Sequence, residues 1–297
     1  MVLPKVQLPE KKLLTCDEFG LDSKSKCLDR EHFKNFPHQV TYSYNSRGFR
    51  DQEWPEKLDN VIWCLGDSFT VGIGSPLQHT WSHMLQELTN KRTINVSLDG
   101  ASNAWIKRQA LQILEETSPD AMVIHWSYFH RSEDPTIGKT DSDRRLFVAR
   151  ELIDPVEQLG LFVKHVSDIE LAKKNTVVIH SMIPDAIDSF INDPQCMIEC
   201  WNSLAGDTWP DCPKTLTEFS QLPTYVVCEL KKFAFYDRFS NYFNCCDSDE
   251  YQEFARTITG DNFIPMFNVV DYARDGHHYD RATASKFVNE IISRLGK

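Results

Sequence analysis

A serine, an aspartate and a histidine stand in this chain where folding could make them a hydroxyl nucleophile with its base. Ser68 lies in Gly66-Asp67-Ser68-Phe69, directly after the apolar run Val61-Ile62-Trp63-Cys64-Leu65. Asp275 and His278 lie in Asp275-Gly276-His277-His278, shortly after a second apolar run, Met266 to Val270. A serine hydroxyl attacks well only when a base takes its proton, and imidazole, with an ordinary pKa of about 6.5, suits that task near neutrality. An acid three residues before the histidine can accept its other ring N–H, fix the tautomer and stabilise the imidazolium. The spacing selects His278, with His277 pointing elsewhere. Singly, a serine after a strand is an ordinary cap and an Asp-x-x-His an ordinary loop. Both together at strand ends, where open α/β sheets collect reactive groups, point to chemistry.

The elements that must carry them follow a βα rhythm from about residue 60. Val61 to Leu65 reads as a strand buried on both faces, followed by a helix with Trp81, Leu85 and Leu88 on its apolar stripe. Thr93 to Leu98 is the second strand, and Ile106, Ala110, Ile113 and Leu114 mark the next amphipathic helix. Ala121 to Trp126, a helix through Val156, Leu159, Val163 and Val166, a strand Thr176 to His180, and a last strand Met266 to Val270 continue it. A final helix has Asp280 as its cap, Phe287, Val288, Ile291, Ile292 and Leu295 as its buried stripe, and Gly296 as its stop. Alternation of this kind predicts an α/β fold: a parallel sheet covered by helices on both faces. Residues 1–55 form an N-terminal extension packing on a domain of residues 56–297, and residues 184–262 form an insertion, either a substrate-side wall or plain surface elaboration.

Bulk properties narrow the partners. The 297 residues carry 32 basic and 43 acidic side chains, a net charge of −11, which disfavours nucleic acid as the main partner. No stretch approaches the roughly 20 apolar residues of a membrane span. The first twelve residues lack the apolar core of a secretory signal, so a cytoplasmic setting is the default expectation. Nine cysteines without an export signal read as reduced thiols. Cys196, Cys200, Cys212, Cys228, Cys245 and Cys246 lack the tight paired knuckles of a structural zinc site, so neither metal nor diffusible cofactor is expected. Asn95-Val96-Ser97 matches a glycosylation sequon but falls within a strand and reads as accidental. Trp81 reads as core; Trp126 and Tyr128 are either core or pocket wall.

Four motifs in order then resemble the GDSL/SGNH hydrolase superfamily. Gly66-Asp67-Ser68, followed by Thr70 and Gly72, is similar to the family's nucleophile block. Asn45-Ser46-x-Gly48-Phe49-Arg50 resembles a segment of many bacterial and phage members. Gly100 stands where the family has its oxyanion-hole glycine, and Asp275-Gly276-x-His278 resembles the closing D-x-x-H block. The resemblance covers about residues 42–130 and 264–296. The G-x-N-D block, whose Asn donates its amide to the oxyanion, is absent: the corresponding stretch reads Trp126-Ser127-Tyr128-Phe129-His130-Arg131. Asn103, Ser127, Tyr128 and His130 are the candidate replacements.

The resemblance implies a three-layer α/β/α fold with a flavodoxin-like parallel sheet. It also implies a serine ester hydrolase using Ser68, His278 and Asp275 through an acyl-enzyme, with the backbone N–H groups of Ser68 and Gly100 facing the oxyanion. The implied substrate is a small ester, including an acetylated carbohydrate. Transfer of the acyl group to a hydroxyl acceptor, or a non-catalytic binding or virion-associated module, are the alternatives.

Overall fold

The apolar run after residue 60 does form a strand with every residue buried, and the rest of the sheet is laid against it. The computed structural model describes residues 3–6, 13–18, 20–27, 31–127, 131–133, 146–148, 155–182, 259–264 and 269–296. Its elements begin with β1 (Leu13–Leu14), α1 (Lys24–Cys27), α2 (Glu31–Asn35) and β2 (Tyr42–Ser43). Then come β3 (Ile62–Gly66), α3 (Ser68–Val71), α4 (Trp81–Thr89), β4 (Thr93–Ser97), α5 (Asn103–Glu116) and β5 (Ala121–Trp126). The chain continues with β6 (Arg131–Glu133), β7 (Leu146–Val148), α6 (Pro155–Ala172), β8 (Val177–Met182), β9 (Phe263–Ile264) and α7 (Arg281–Leu295).

Five strands pair in the order β4-β3-β5-β8-β9, all parallel. Counted by entry into the sheet, that order is 2-1-3-4-5, the flavodoxin-like arrangement, in which the order reverses beside the first strand. Side chains alternate between two cores. Trp63, Leu65, Val96, Ile124 and Trp126 pack with α5 and α6, through Trp105, Ile106, Phe162 and Ile169. Ile62, Cys64, Val123 and Ile179 pack with α4 and α7, through Trp81, Leu85, Phe287 and Ile291. The result is three layers, α/β/α, as the alternating pattern predicts.

Several details differ from the sequence reading. Leu88 is 58 % exposed, so the α4 stripe narrows to Trp81 and Leu85. On α6 the buried face is Phe162, Val166 and Ile169, with Val163 only half-buried. The last described strand is Phe263–Ile264; of the predicted run Met266 to Val270, only 269 and 270 are described, and neither is in a strand. Asp280 sits at the N-cap of α7 but caps nothing with its side chain. Asp271 does that work, its carboxylate accepting the N–H groups of Ala282 at 2.7 Å and Thr283 at 2.8 Å. Gly296 ends α7 in a right-handed conformation, so its lack of a side chain is not what stops the helix. The insertion at 184–262 and its cysteines lie almost wholly outside the described residues. Asn95 of the sequon is 3 % exposed, and its amide donates to Thr70 O at 3.0 Å. Among the described residues no helix is long and apolar enough to cross a membrane.

Candidate active site

Ser68 begins the short helix α3 where β3 ends, and two neighbours force that turn. Asp67 takes the N-cap and accepts the Phe69 N–H at 3.0 Å. Gly66 is needed by contact: a Cβ there would stand 2.1 Å from Thr70 Oγ1 and 2.8 Å from His125 O. Only a residue without a side chain lets the helix fold back this closely on the strand end. The four-residue helix then closes on Gly72, left-handed at φ 73°, whose N–H donates to Ser68 O at 2.9 Å. Ser68 itself is 2 % exposed.

Asp275 and His278 are paired. The ring Nδ1 meets Asp275 Oδ2 at 2.5 Å, while Asp275 Oδ1 accepts the backbone N–H groups of His277 at 3.0 Å and His278 at 3.1 Å. An ionised carboxylate can only accept, so Nδ1 carries a proton and, in the neutral ring, Nε2 presents its lone pair. That Nε2 is buried and has no hydrogen-bond partner among the described residues. No hydrogen bond therefore joins it to Ser68 Oγ in this structure; the two segments meet through Phe69, the residue after Ser68, whose ring centroid is 4.6 Å from the His278 ring. Burial alone would raise the Asp275 pKa, but the charge and hydrogen bond of His278 outweigh it and hold the carboxyl at about 2. Burial pulls the other way on His278, and Asp275, Asp99 and Asp67 together overcome it, so the imidazole titrates above its ordinary value.

The candidate oxyanion groups lie at neighbouring strand ends. Gly100, after β4, has φ 74° in a turn closed by Ala101 N–H to Leu98 O at 2.9 Å. Asn103, on the first turn of α5, is strapped to the end of β5: its Nδ2 donates to Ser127 O at 3.0 Å and its Oδ1 accepts Ser127 N–H at 2.8 Å. The Ser127 hydroxyl donates to Asp67 Oδ2 at 2.7 Å. Its one proton is thus committed, whereas Asn103 keeps a second amide hydrogen. This Asp67–Ser127–Asn103 chain spans the gap between β3 and β5, where the strand order reverses and open α/β folds bind their ligands. Tyr128 and His130 lie outside the described residues. Trp126 is wholly buried, stacked on His180 and donating to its Nδ1 at 3.1 Å, so it is core.

The N-terminal segment reaches this site, which sequence reasoning missed. Asn45 Oδ1 accepts the N–H groups of Arg47 and Phe49, at 3.0 and 3.1 Å, folding the loop on itself. Gly48, at φ 87°, passes so near Val6 O that a Cβ would lie 2.5 Å away. Arg50, 2 % exposed, then donates to Val71 O at 3.1 Å, Gly72 O at 2.5 Å, Ser75 O at 2.8 Å and Thr41 O at 2.9 Å. A buried guanidinium is tolerated because four carbonyls surround it. The available signal was the motif itself, whose arginine follows a buried phenylalanine.

No protein-family model matches the chain, and no curated protein does. Solved structures similar to it include TesA, at 12 % identity over 80 % of this chain and 98 % of that one, with a TM-score of 0.39. They also include the psychrotrophic esterase EstA from Pseudoalteromonas sp., at 12 % identity over 80 % and 97 % of the two chains, TM-score 0.38. A third is a carbohydrate esterase family 2 enzyme with its carbohydrate-binding domain from Corynascus thermopiles (Myceliophthora fergusii), at 15 % identity over 83 % and 69 %, TM-score 0.37. At such identities and scores the chemistry has to be read from this chain's own residues.

Proposed function

We propose that the chain is a serine ester hydrolase of the SGNH type, with Ser68 as nucleophile, His278 as base and Asp275 orienting the base. One observation carries this reading: an imidazole whose Nδ1 is fixed on a buried carboxylate and whose buried Nε2 lacks a partner among the described residues, beside the residue that follows Ser68. Nε2 takes the Ser68 proton as Oγ bonds to the ester carbonyl carbon. The protonated ring then gives that proton to the leaving alcohol oxygen as its bond to carbon breaks. Water, activated by the same Nε2, releases the acid and restores the hydroxyl. Backbone N–H groups of Ser68 and Gly100 face the developing oxyanion, with Asn103 as the third donor through its second amide hydrogen. A small acyl ester, such as an O-acetyl group on a carbohydrate, is the substrate class this chemistry takes. The same intermediate could pass its acyl group to a hydroxyl acceptor instead of water.

A non-catalytic binding module is the second reading, favoured by the missing G-x-N-D block and by the commitment of the Ser127 hydroxyl to Asp67. Hydrolysis of p-nitrophenyl acetate decides between them. The wild type should turn it over, and Ser68→Ala should lower kcat by a factor on the order of 10⁴ or more. Equal rates for the two proteins would overturn the assignment.

A further inference from the structure

Ser68 and Asp275 are 207 residues apart, yet the loops that carry them are joined backbone to backbone at Gly74. Its O accepts the Arg274 N–H at 2.9 Å, and at φ 78° a Cβ there would lie 3.0 Å from Asp275 N. On the nucleophile side, the N–H groups of Gly72 and Ile73 both donate to Ser68 O, at 2.9 and 3.2 Å. A third segment, from the N-terminal region, grips this contact from outside. Tyr42 Oη accepts the Gly74 N–H at 2.7 Å and donates to Asp22 Oδ2 at 2.6 Å. Asp22, fully buried, holds the Arg274 guanidinium with both oxygens, at 2.9 Å from Nε and 2.6 Å from an Nη. Arg50 stacks over the Tyr42 ring at 4.3 Å while binding the carbonyls of the nucleophile loop.

We propose that Asp22, Tyr42 and Arg274 are positioning residues: a clasp that sets the distance between Ser68 and the Asp275–His278 pair by holding Gly74 against Arg274. The inference rests on the catalytic reading above for its consequence and on this bonding for its geometry. The bidentate pair fixes Arg274 in two directions at once, which a single contact would not. Tyr42 converts that fixed point into a fixed Gly74, because one phenolic oxygen accepts from the Gly74 N–H and donates to Asp22, the carboxylate that grips Arg274. Errors of about 1 Å between nucleophile and base cost on the order of 10²-fold in rate. The clasp thus bears on kcat and leaves KM alone.

Tyr42→Phe removes the one bridging oxygen and keeps the ring, and Tyr44→Phe is its control. The Tyr44 hydroxyl also donates to a carboxylate of the same segment, Asp17 at 3.2 Å, and accepts nothing from Gly74. Expected for folded Tyr42→Phe is at least a tenfold fall in kcat with KM unchanged, together with a His278 imidazole pKa, read by ¹⁵N NMR, that moves relative to wild type. Tyr44→Phe is expected to shift neither, whatever it does to Tm. A Tyr42→Phe protein that matches Tyr44→Phe in both kcat and His278 titration overturns the clasp. If the wild type proves inactive, the catalytic reading fails on its own, and the His278 titration in the same three proteins still decides the clasp. Should Tyr42→Phe not fold, Arg274→Lys, which keeps the charge and loses the bidentate grip, is read by the same two measurements with the same expected and opposing results.

Discussion

At the scale of single residues, the Asp275–His278 pair sets the pH behaviour. Asp275 is held at about 2 in the folded chain against an ordinary 3.8. Its contribution to stability is therefore present above about pH 3.8 and is lost as pH falls toward 2, amounting to about 2 kcal/mol. Urea unfolding of wild type and Asp275→Asn should differ by that order at pH 6 and converge near pH 2. His278 has the opposite sign. Its raised value contributes stability that is complete below about pH 6.5 and is lost as pH rises through the folded value. In the proposed role of His278 as base the neutral ring is the active one, so kcat/KM should rise with pH through a single ionisation above about 6.5 and then level off. In Asp275→Asn the rising limb should move to lower pH while kcat falls on the order of 10⁴-fold; an unmoved limb would show that another group is titrating. Gly66→Ala tests the turn before Ser68. The 2.1 Å approach to Thr70 Oγ1 leaves no room for a methyl, and a loss of about 1–3 kcal/mol or more is expected in chemical denaturation.

At the scale of elements, α7 shows how a sequence signal can be correct in place and wrong in agent. An acid before an amphipathic run is a cap signal, and Asp280 does occupy the N-cap. Its carboxylate instead accepts from Ser75 Oγ at 2.8 Å and lies 3.0 Å from His79 Nδ1, tying α7 to the loop beyond Ser68. The orphan N–H groups go to Asp271, ten residues upstream of α7, across the Asp275 loop. Which acid caps which helix is a tertiary fact that local spacing does not contain. Asp271→Ala should therefore lower stability by about 1–2 kcal/mol, as loss of a cap does, whereas Asp280→Ala should act on the seating of the Ser75 loop. Circular dichroism melts of the two variants check the first; an Asp271→Ala Tm equal to wild type would contradict it. The strands were easier to read. Ala121 to Trp126 was legible to the residue because a continuous apolar run in a doubly covered sheet has no other use. The last strand was harder: Phe263–Ile264 is a described strand the sequence reading did not single out, while residues 266–268 of the expected run lie outside the described residues, and short apolar runs on either side of Pro265 look alike by composition.

At the scale of the whole molecule, the N-terminal region is joined to the site rather than merely laid upon the sheet. Its motif, including Arg50, was visible in the sequence but its purpose was not, and Asp22 and Tyr42 carried no signal, since these residues act on partners up to 252 positions away. Pairwise hydrogen bonds of that reach leave no periodicity to detect. It also covers an edge of the sheet: Asp51 accepts the N–H of Asn95 on β4 at 3.1 Å. A chain beginning at residue 51 would leave the carbonyls of Val71, Gly72 and Ser75 without the Arg50 guanidinium. It is expected to lose cooperative unfolding, a result calorimetry would check. The turn at Gly66-Asp67-Ser68 and the pairing of Asp275 with His278, by contrast, were legible, because each lies within a short local motif. What those motifs could not reveal was the commitment of Ser127 to Asp67, a contact made only once β5 lies beside β3.

Labelling with a fluorophosphonate, mapped by mass spectrometry of the folded protein, bears most directly on Ser68 as a base-activated nucleophile. A single adduct on Ser68, absent from Ser68→Ala and slowed at least a hundredfold in His278→Ala, is the expected result. An unlabelled wild type, or an adduct on Ser68 formed equally fast without the His278 ring, would contradict it.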